Sequence, residues 1–98
     1  VTLSIHREAL SEVDAAARWY FERSPLVADA FLEEVDAALA AIRRWPEVAP
    51  RWRGHPMFRS RLLRGFPFAV VYRPTTRGIR VLAFAHASRQ PGYWRGRR

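Results

Sequence analysis

Two short apolar runs, Phe68–Tyr72 and Ile79–Ala85, flank the turn-rich spacer Pro74-Thr75-Thr76-Arg77-Gly78. β-Branched and aromatic residues in runs of this length, on either side of such a spacer, predict an antiparallel hairpin. The second run is apolar at both parities, with Ile79, Val81, Ala83 and Ala85 on one face and Leu82 and Phe84 on the other. A strand apolar on both faces is covered on both, so it belongs in the middle of a sheet. The rest of the chain must therefore supply flanking strands and a layer that covers them.

Upstream, Thr2–Ile5 predicts a short strand, since Leu3 and Ile5 alternate with Thr2 and Ser4. Arg7–Arg23 predicts a helix with Leu10, Val13, Ala17 and Tyr20/Phe21 on its buried face and Glu8, Glu12 and Glu22 at polar positions. The early glutamates suit the positive end of the helix dipole. Ser24-Pro25 ends that helix and starts another, because serine caps free amides and proline tolerates the first helical position. The second helix is expected to run to about Trp45, before Pro46, burying Val27, Phe31, Val35, Ala38/Leu39 and Ile42. With so short a junction the two form an antiparallel helical hairpin. Glu47–Pro56 reads as a loop, and Met57–Arg64 as a strand with Phe58, Ser60 and Leu62 on one face and Arg59, Arg61 and Leu63 on the other. The order β-α-α-β-β-β over residues 1–98 makes a single α+β domain, its helical hairpin packed on a small, mainly antiparallel sheet.

The chain contains no cysteine, which excludes a disulfide framework, a thiolate metal site and a cysteine nucleophile. No metal or cofactor is expected. No apolar run approaches the ~18–20 residues of a membrane span, and no signal-peptide pattern is visible, so the expected compartment is the cytoplasm, without membrane partners. Charge is divided unevenly along the chain. All nine acids lie between Glu8 and Glu47 among five arginines, whereas Val48–Arg98 holds twelve arginines and no acid. Such a field favours an anionic partner, either nucleic acid or an acidic protein segment. All 17 basic residues are arginine, a composition bias that makes the clustering more informative than the residue type.

Three stretches together resemble a known family. The line Gly65-Phe66-Pro67-Phe68-Ala69-Val70-Val71-Tyr72-Arg73, preceded by Arg61, is similar to the RelE/ParE toxin superfamily. Ala85-His86-Ala87-Ser88-Arg89-Gln90-Pro91-Gly92-Tyr93-Trp94-Arg95 resembles the closing signature of its ParE-like, plasmid-stabilisation members. Ala17-Arg18-Trp19-Tyr20 and the Ser24-Pro25 junction sit where that family places its helical hairpin. The resemblance implies the toxin of a type II toxin–antitoxin system, neutralised by an antitoxin whose acidic, partly apolar C-terminal segment wraps it. It also implies one of two targets. ParE-like members inhibit DNA gyrase through protein contacts; RelE-like members cut messenger RNA on the ribosome. The RNases often lean on a lysine pair or a late glutamate, and this chain has no lysine and no acid after Glu47, which favours gyrase.

Messenger RNA cleavage by 2′-OH attack needs a proton acceptor, a proton donor and positive charge on the phosphate. Under that reading His86 moves a proton, Arg61 and Arg89 hold the phosphate, and Tyr93 stacks on a base or donates its hydroxyl. Against it stands a structural role, with His86 bonded to backbone at the strand end and Arg89 paired to a helix acid. Arg59, Arg61, Arg64 and Arg89 are the candidates for a target- or anion-binding surface, the alternative being a solvated sheet edge. Trp52, between Arg51 and Arg53, either stacks a base or plugs the core edge. Trp19, Tyr20 and Phe31 are expected to pack, and Tyr93-Trp94 to pin the C-terminal segment to the sheet. A generic nucleic-acid-binding module lacks any helix-turn-helix, zinc or RNA-recognition signature here, and acidic helices would repel a phosphate backbone.

Overall fold

A computed structural model describes residues 2–98. Strand β1 (Leu3–Ile5) leads into helices α1 (Arg7–Arg23) and α2 (Pro25–Arg44), followed by strands β2 (Arg59–Leu62), β3 (Phe68–Thr75) and β4 (Gly78–His86). The sheet order is β1-β4-β3-β2, so β4 is interior, with β1 parallel to it and the other pairs antiparallel. Parallel β1 passes so close to the hairpin turn that a Cβ on Gly78 would meet the Thr2 carbonyl oxygen. No helix among the described residues is long and apolar enough to cross a membrane.

Ser24 alone joins the helices. Its backbone N–H closes α1 on the Tyr20 carbonyl, and its Oγ accepts the Val27 N–H at the start of α2. The helices bury narrower, shifted stripes than expected. On α1 the inward residues are Ala9, Val13, Ala16, Ala17 and Tyr20, while Leu10 and Phe21 are exposed. On α2 they are Ala28, Phe31, Val35, Ala38 and Ile42, with Val27 turned outward. Small alanines at the contact let the helices lie close to each other and to the sheet, which rolls the longer apolar side chains off the interface. The expected strand Met57–Arg64 pairs only over Arg59–Leu62, and Trp52–Gly54 forms a short 3-10 turn within the expected loop.

The hairpin is longer than its apolar runs, for Thr75 pairs with Gly78 across a two-residue turn and Pro74 lies within β3 opposite Ile79. Ile79 donates to the Thr2 carbonyl on the far side, so this pair exchanges no bonds across the hairpin. The missing proline N–H therefore faces the β2 side, beyond the last β2 pair at Arg59–Tyr72, where it interrupts no ladder.

Halfway along β4 the alternation breaks. Tyr72 pairs with Val81 and Val71 with Ala83, which leaves Leu82 as an extra residue, a β-bulge. Phe84 consequently joins Ile79 and Val81 under the helices with Val70 and Tyr72, while Leu82 and Ala83 share the opposite face with Val71. The strict two-face division expected for Ile79–Ala85 is corrected by this one residue. The opposite face is covered too. Trp94, 1% exposed, lies edge-on to Trp52 and Phe58 at 4.8 Å each, so the C-terminal segment folds back over the sheet. Trp52 does plug this second core, and the Tyr72 hydroxyl ties the loop after α2 by donating to the Pro46 carbonyl at 2.7 Å.

Candidate functional site

β1 stops at Ile5, and its last backbone bond to β4 runs from the His6 N–H to the Val81 carbonyl. Past that point the outer edge of β4 carries backbone groups without a strand neighbour. The Glu12 carboxylate, reaching in from α1, accepts the Phe84 N–H at 3.0 Å, and the Arg97 guanidinium donates to the Leu82 carbonyl at 3.0 Å. These two side chains then pair with each other through the two terminal guanidinium nitrogens, at 3.0 and 3.1 Å. The Tyr93 hydroxyl donates to the second Glu12 oxygen, and Arg97 Nε lies 3.6 Å from Glu8. Glu12 and Arg97 are 15% and 12% exposed, so the pair is nearly dry. Burial opposes the Arg97 charge, yet the Glu12 hydrogen bond and charge outweigh it and raise its pKa. For Tyr93, burial first, and then the bond to Glu12 and its charge, push the phenol pKa far above the ordinary 10.0; Arg89 and Arg97 only partly oppose this.

Beside this network, between α1 and the ends of β3 and β4, opens a groove of about 610 Å³. Its floor is Phe68 and Phe84, one wall is Ala15, Ala16 and Trp19 of α1, and its rim carries His86, Arg89 and Tyr93. Trp19 is half exposed, at 51%, and corrects its assignment to the core: Arg23 stacks on its ring at 3.6 Å and bonds its carbonyl. Tyr20 and Phe31 do pack, forming with Phe66 and Phe68 an aromatic cluster with centroids 5.2–5.3 Å apart.

His86, Arg89 and Tyr93 thus meet, as the spacing suggests. The His86 Nδ1 accepts the Ser88 N–H at 3.0 Å and also faces the Ser88 hydroxyl at 2.8 Å, while its ring lies edge-on to Phe68. A bonded Nδ1 places the imidazole proton on Nε2 when the ring is neutral. Arg89 pairs with no acid among the described residues; its guanidinium lies over the Tyr93 ring at 3.8 Å. Arg61 does not join them. It projects from β2 into a separate depression with Glu34 and Arg64. Arg59 donates to the Ala49 carbonyl at 2.7 Å and borders a further depression with Glu47. The expected surface of Arg59, Arg61, Arg64 and Arg89 is therefore divided among three places, each with a carboxylate in its lining.

Sequence reasoning missed Glu12 and Arg97, the two residues that complete the sheet edge. Glu12 sits among polar helix positions, and Arg97 in a tail of like residues. The available signal was the end of β1 three residues into the chain's first strand, which leaves the longer β4 with open backbone groups.

Chemically, the groove offers an apolar seat with one free guanidinium at its rim. Four donors converge on the Glu12 carboxylate, and Tyr93 holds its proton against it, so both groups are committed to the sheet edge.

The family model described as the ParE toxin of type II toxin-antitoxin system, parDE, matches residues 3–91. No curated protein matches the chain. Among solved structures, one described as the chromosomal ParDE TA system from P. aeruginosa superposes with a TM-score of 0.77 at 20% identity. The match covers 90% of this chain and 97% of that one. At that identity the likeness speaks for the fold.

Proposed function

The chain belongs to the ParE toxin family of type II toxin–antitoxin systems, and from that premise we propose that it arrests growth in the cytoplasm by inhibiting DNA gyrase through protein contacts. One observation carries the choice of a contact mechanism. The groups that RNA cleavage would need are held in structure or kept apart: Glu12 and Tyr93 hold the sheet edge, and Arg61 lies in another depression, away from His86 and Arg89. An inhibitor that works by contact needs no proton acceptor.

Neutralisation comes from a cognate antitoxin with an acidic, partly apolar C-terminal segment. The groove suits such a segment, since its aromatic floor and Trp19 wall accept an apolar anchor and Arg89 at the rim meets a carboxylate. The test runs gyrase supercoiling and ribosome-dependent mRNA cleavage side by side with the purified chain, with and without antitoxin. Inhibition of supercoiling with intact mRNA is the expected result. Cleaved mRNA with normal supercoiling would replace this reading with the RelE-like one.

A further inference from the structure

Arg73 of β3 and Arg80 of β4 are directly paired across the hairpin. Like charges so placed repel, and neither arginine has an acid within salt-bridge distance among the described residues. Alternation with Tyr72, Ile79 and Val81, which lie under the helices, turns both side chains to the opposite face of the sheet. There they border a depression of about 480 Å³ with Thr75, Leu82 and Arg98. Arg80 donates from Nε and Nη2 to the Arg98 backbone oxygen at 3.4 and 3.2 Å, which holds Arg98 at the same depression. Farther along this face, Arg53 and Arg95 lie 5.6 and 5.9 Å from the Trp52 ring. Every acid of the described chain is on α1 or α2, apart from Glu47 just beyond them. The sheet stands between most of these acids and this face; the two carboxylates at its margins, Glu47 sharing a depression with Arg73 and Glu8 one with Arg98, are outnumbered by its arginines, so the repulsion that argued against a phosphate partner is weaker here.

We infer that this sheet face, centred on the Arg73–Arg80 cross-strand pair with Arg98 beside it, binds the phosphate backbone of duplex nucleic acid without sequence preference. The face differs from the groove, and the inference stands apart from the toxin reading. An acidic protein segment fits it poorly. A peptide needs apolar anchors in pockets to bind tightly, and the one apolar residue of this depression, Leu82, is already buried at 2%. A phosphate backbone asks only for charge and donors, and guanidinium forks match phosphate oxygens.

The experiment measures anisotropy of a fluorescent 20-base-pair duplex titrated with the purified chain at salt concentrations from 50 to 200 mM. Binding is expected with Kd of roughly 10⁻⁶–10⁻⁴ M at physiological salt. Each lost phosphate contact lowers the slope of log K against log salt by about 0.9, so Arg73→Gln with Arg80→Gln should lower it by about 1.8. Arg61→Gln with Arg64→Gln removes the same charge from a separate depression and should leave the slope unchanged. Because Arg80 bonds Arg98, Arg73→Gln alone provides a second variant whose side chain makes no hydrogen bond to lose; it should lower the slope by about 0.9. No binding at 50 mM salt, equal slope loss from both double variants, or a glutamate-rich peptide of equal charge binding as tightly as the duplex would each overturn the inference.

Discussion

The Glu12 carboxylate of α1 accepts the backbone N–H of Phe84 in β4, 72 residues away in sequence, and so occupies the place of a missing strand neighbour. Its position just after the β4 bulge makes this side chain part of the sheet. Arg97 completes the replacement by donating to the Leu82 carbonyl.

Glu12→Ala should destabilise the fold by about 3–5 kcal/mol, because it strands a nearly buried guanidinium, a phenol and a backbone N–H at once. Against a total of roughly 5–15 kcal/mol this approaches unfolding. Glu12→Gln retains an acceptor and should cost less, about 1–3 kcal/mol. Urea unfolding of both variants checks the order; equal, small losses would mean that the pair carries little.

Val71 and Val81 lie on opposite faces of the hairpin, and both are buried. Cutting either to alanine should cost about 1–3 kcal/mol, read from the urea midpoint. An unchanged midpoint in either variant would contradict the two-sided core.

Tyr93 gives the fold an alkaline limit. In the unfolded chain the phenol loses its proton near pH 10, whereas in the fold it keeps it to higher pH. Above about pH 10 the unfolded state therefore binds fewer protons, so this stabilisation is full below that pH and declines as pH rises toward the native value. Tyr93→Phe should flatten the fall in stability between about pH 9.5 and 11, leaving the part due to Tyr20 and Tyr72, whose pKa values burial also raises. An unaltered slope would show that the phenol is neither buried nor held by Glu12 as described.

If the toxin works by contact, His86→Gln and Tyr93→Phe should retain growth arrest as long as the chain folds. General acid–base groups contribute ~10²–10⁴-fold, so an RNase would lose nearly all toxicity in at least one of them. Colony counts after induced expression, with urea midpoints measured alongside, separate the two outcomes.

If the antitoxin segment seats in the groove as proposed, its affinity comes from the apolar floor and walls and its association rate from charge. Trp19→Ala should weaken antitoxin binding by about 1–2 kcal/mol. The association rate should fall as salt rises, since the toxin's net charge is +8. A rate indifferent to salt would remove the electrostatic part.

The helical hairpin, the interior position of β4 and the meeting of His86, Arg89 and Tyr93 are legible in sequence because each rests on local signals: Ser24-Pro25, a two-sided apolar run, and short spacing after a strand. The shift of the helical stripes to Ala9, Ala16 and Ala28 is not, because alanine carries little hydropathy and its role depends on how closely the helices approach. Nor is the bulge at Leu82, since Ile79–Ala85 is apolar at every parity but Arg80 and offers no pattern to break. The division of Arg59 and Arg61 from Arg89 depends on which end of the sheet each occupies, and that is set by strand order.

Ser24 at once closes the end of one helix and caps the start of the next, with no further residue between them. Helices hinged on a single doubly bonded residue cannot swing apart without losing both caps. The toxin therefore meets its partners as a preformed platform. For a partner segment that orders on binding, the entropy cost then falls on that segment, so stiffening it raises affinity more than remodelling the toxin does.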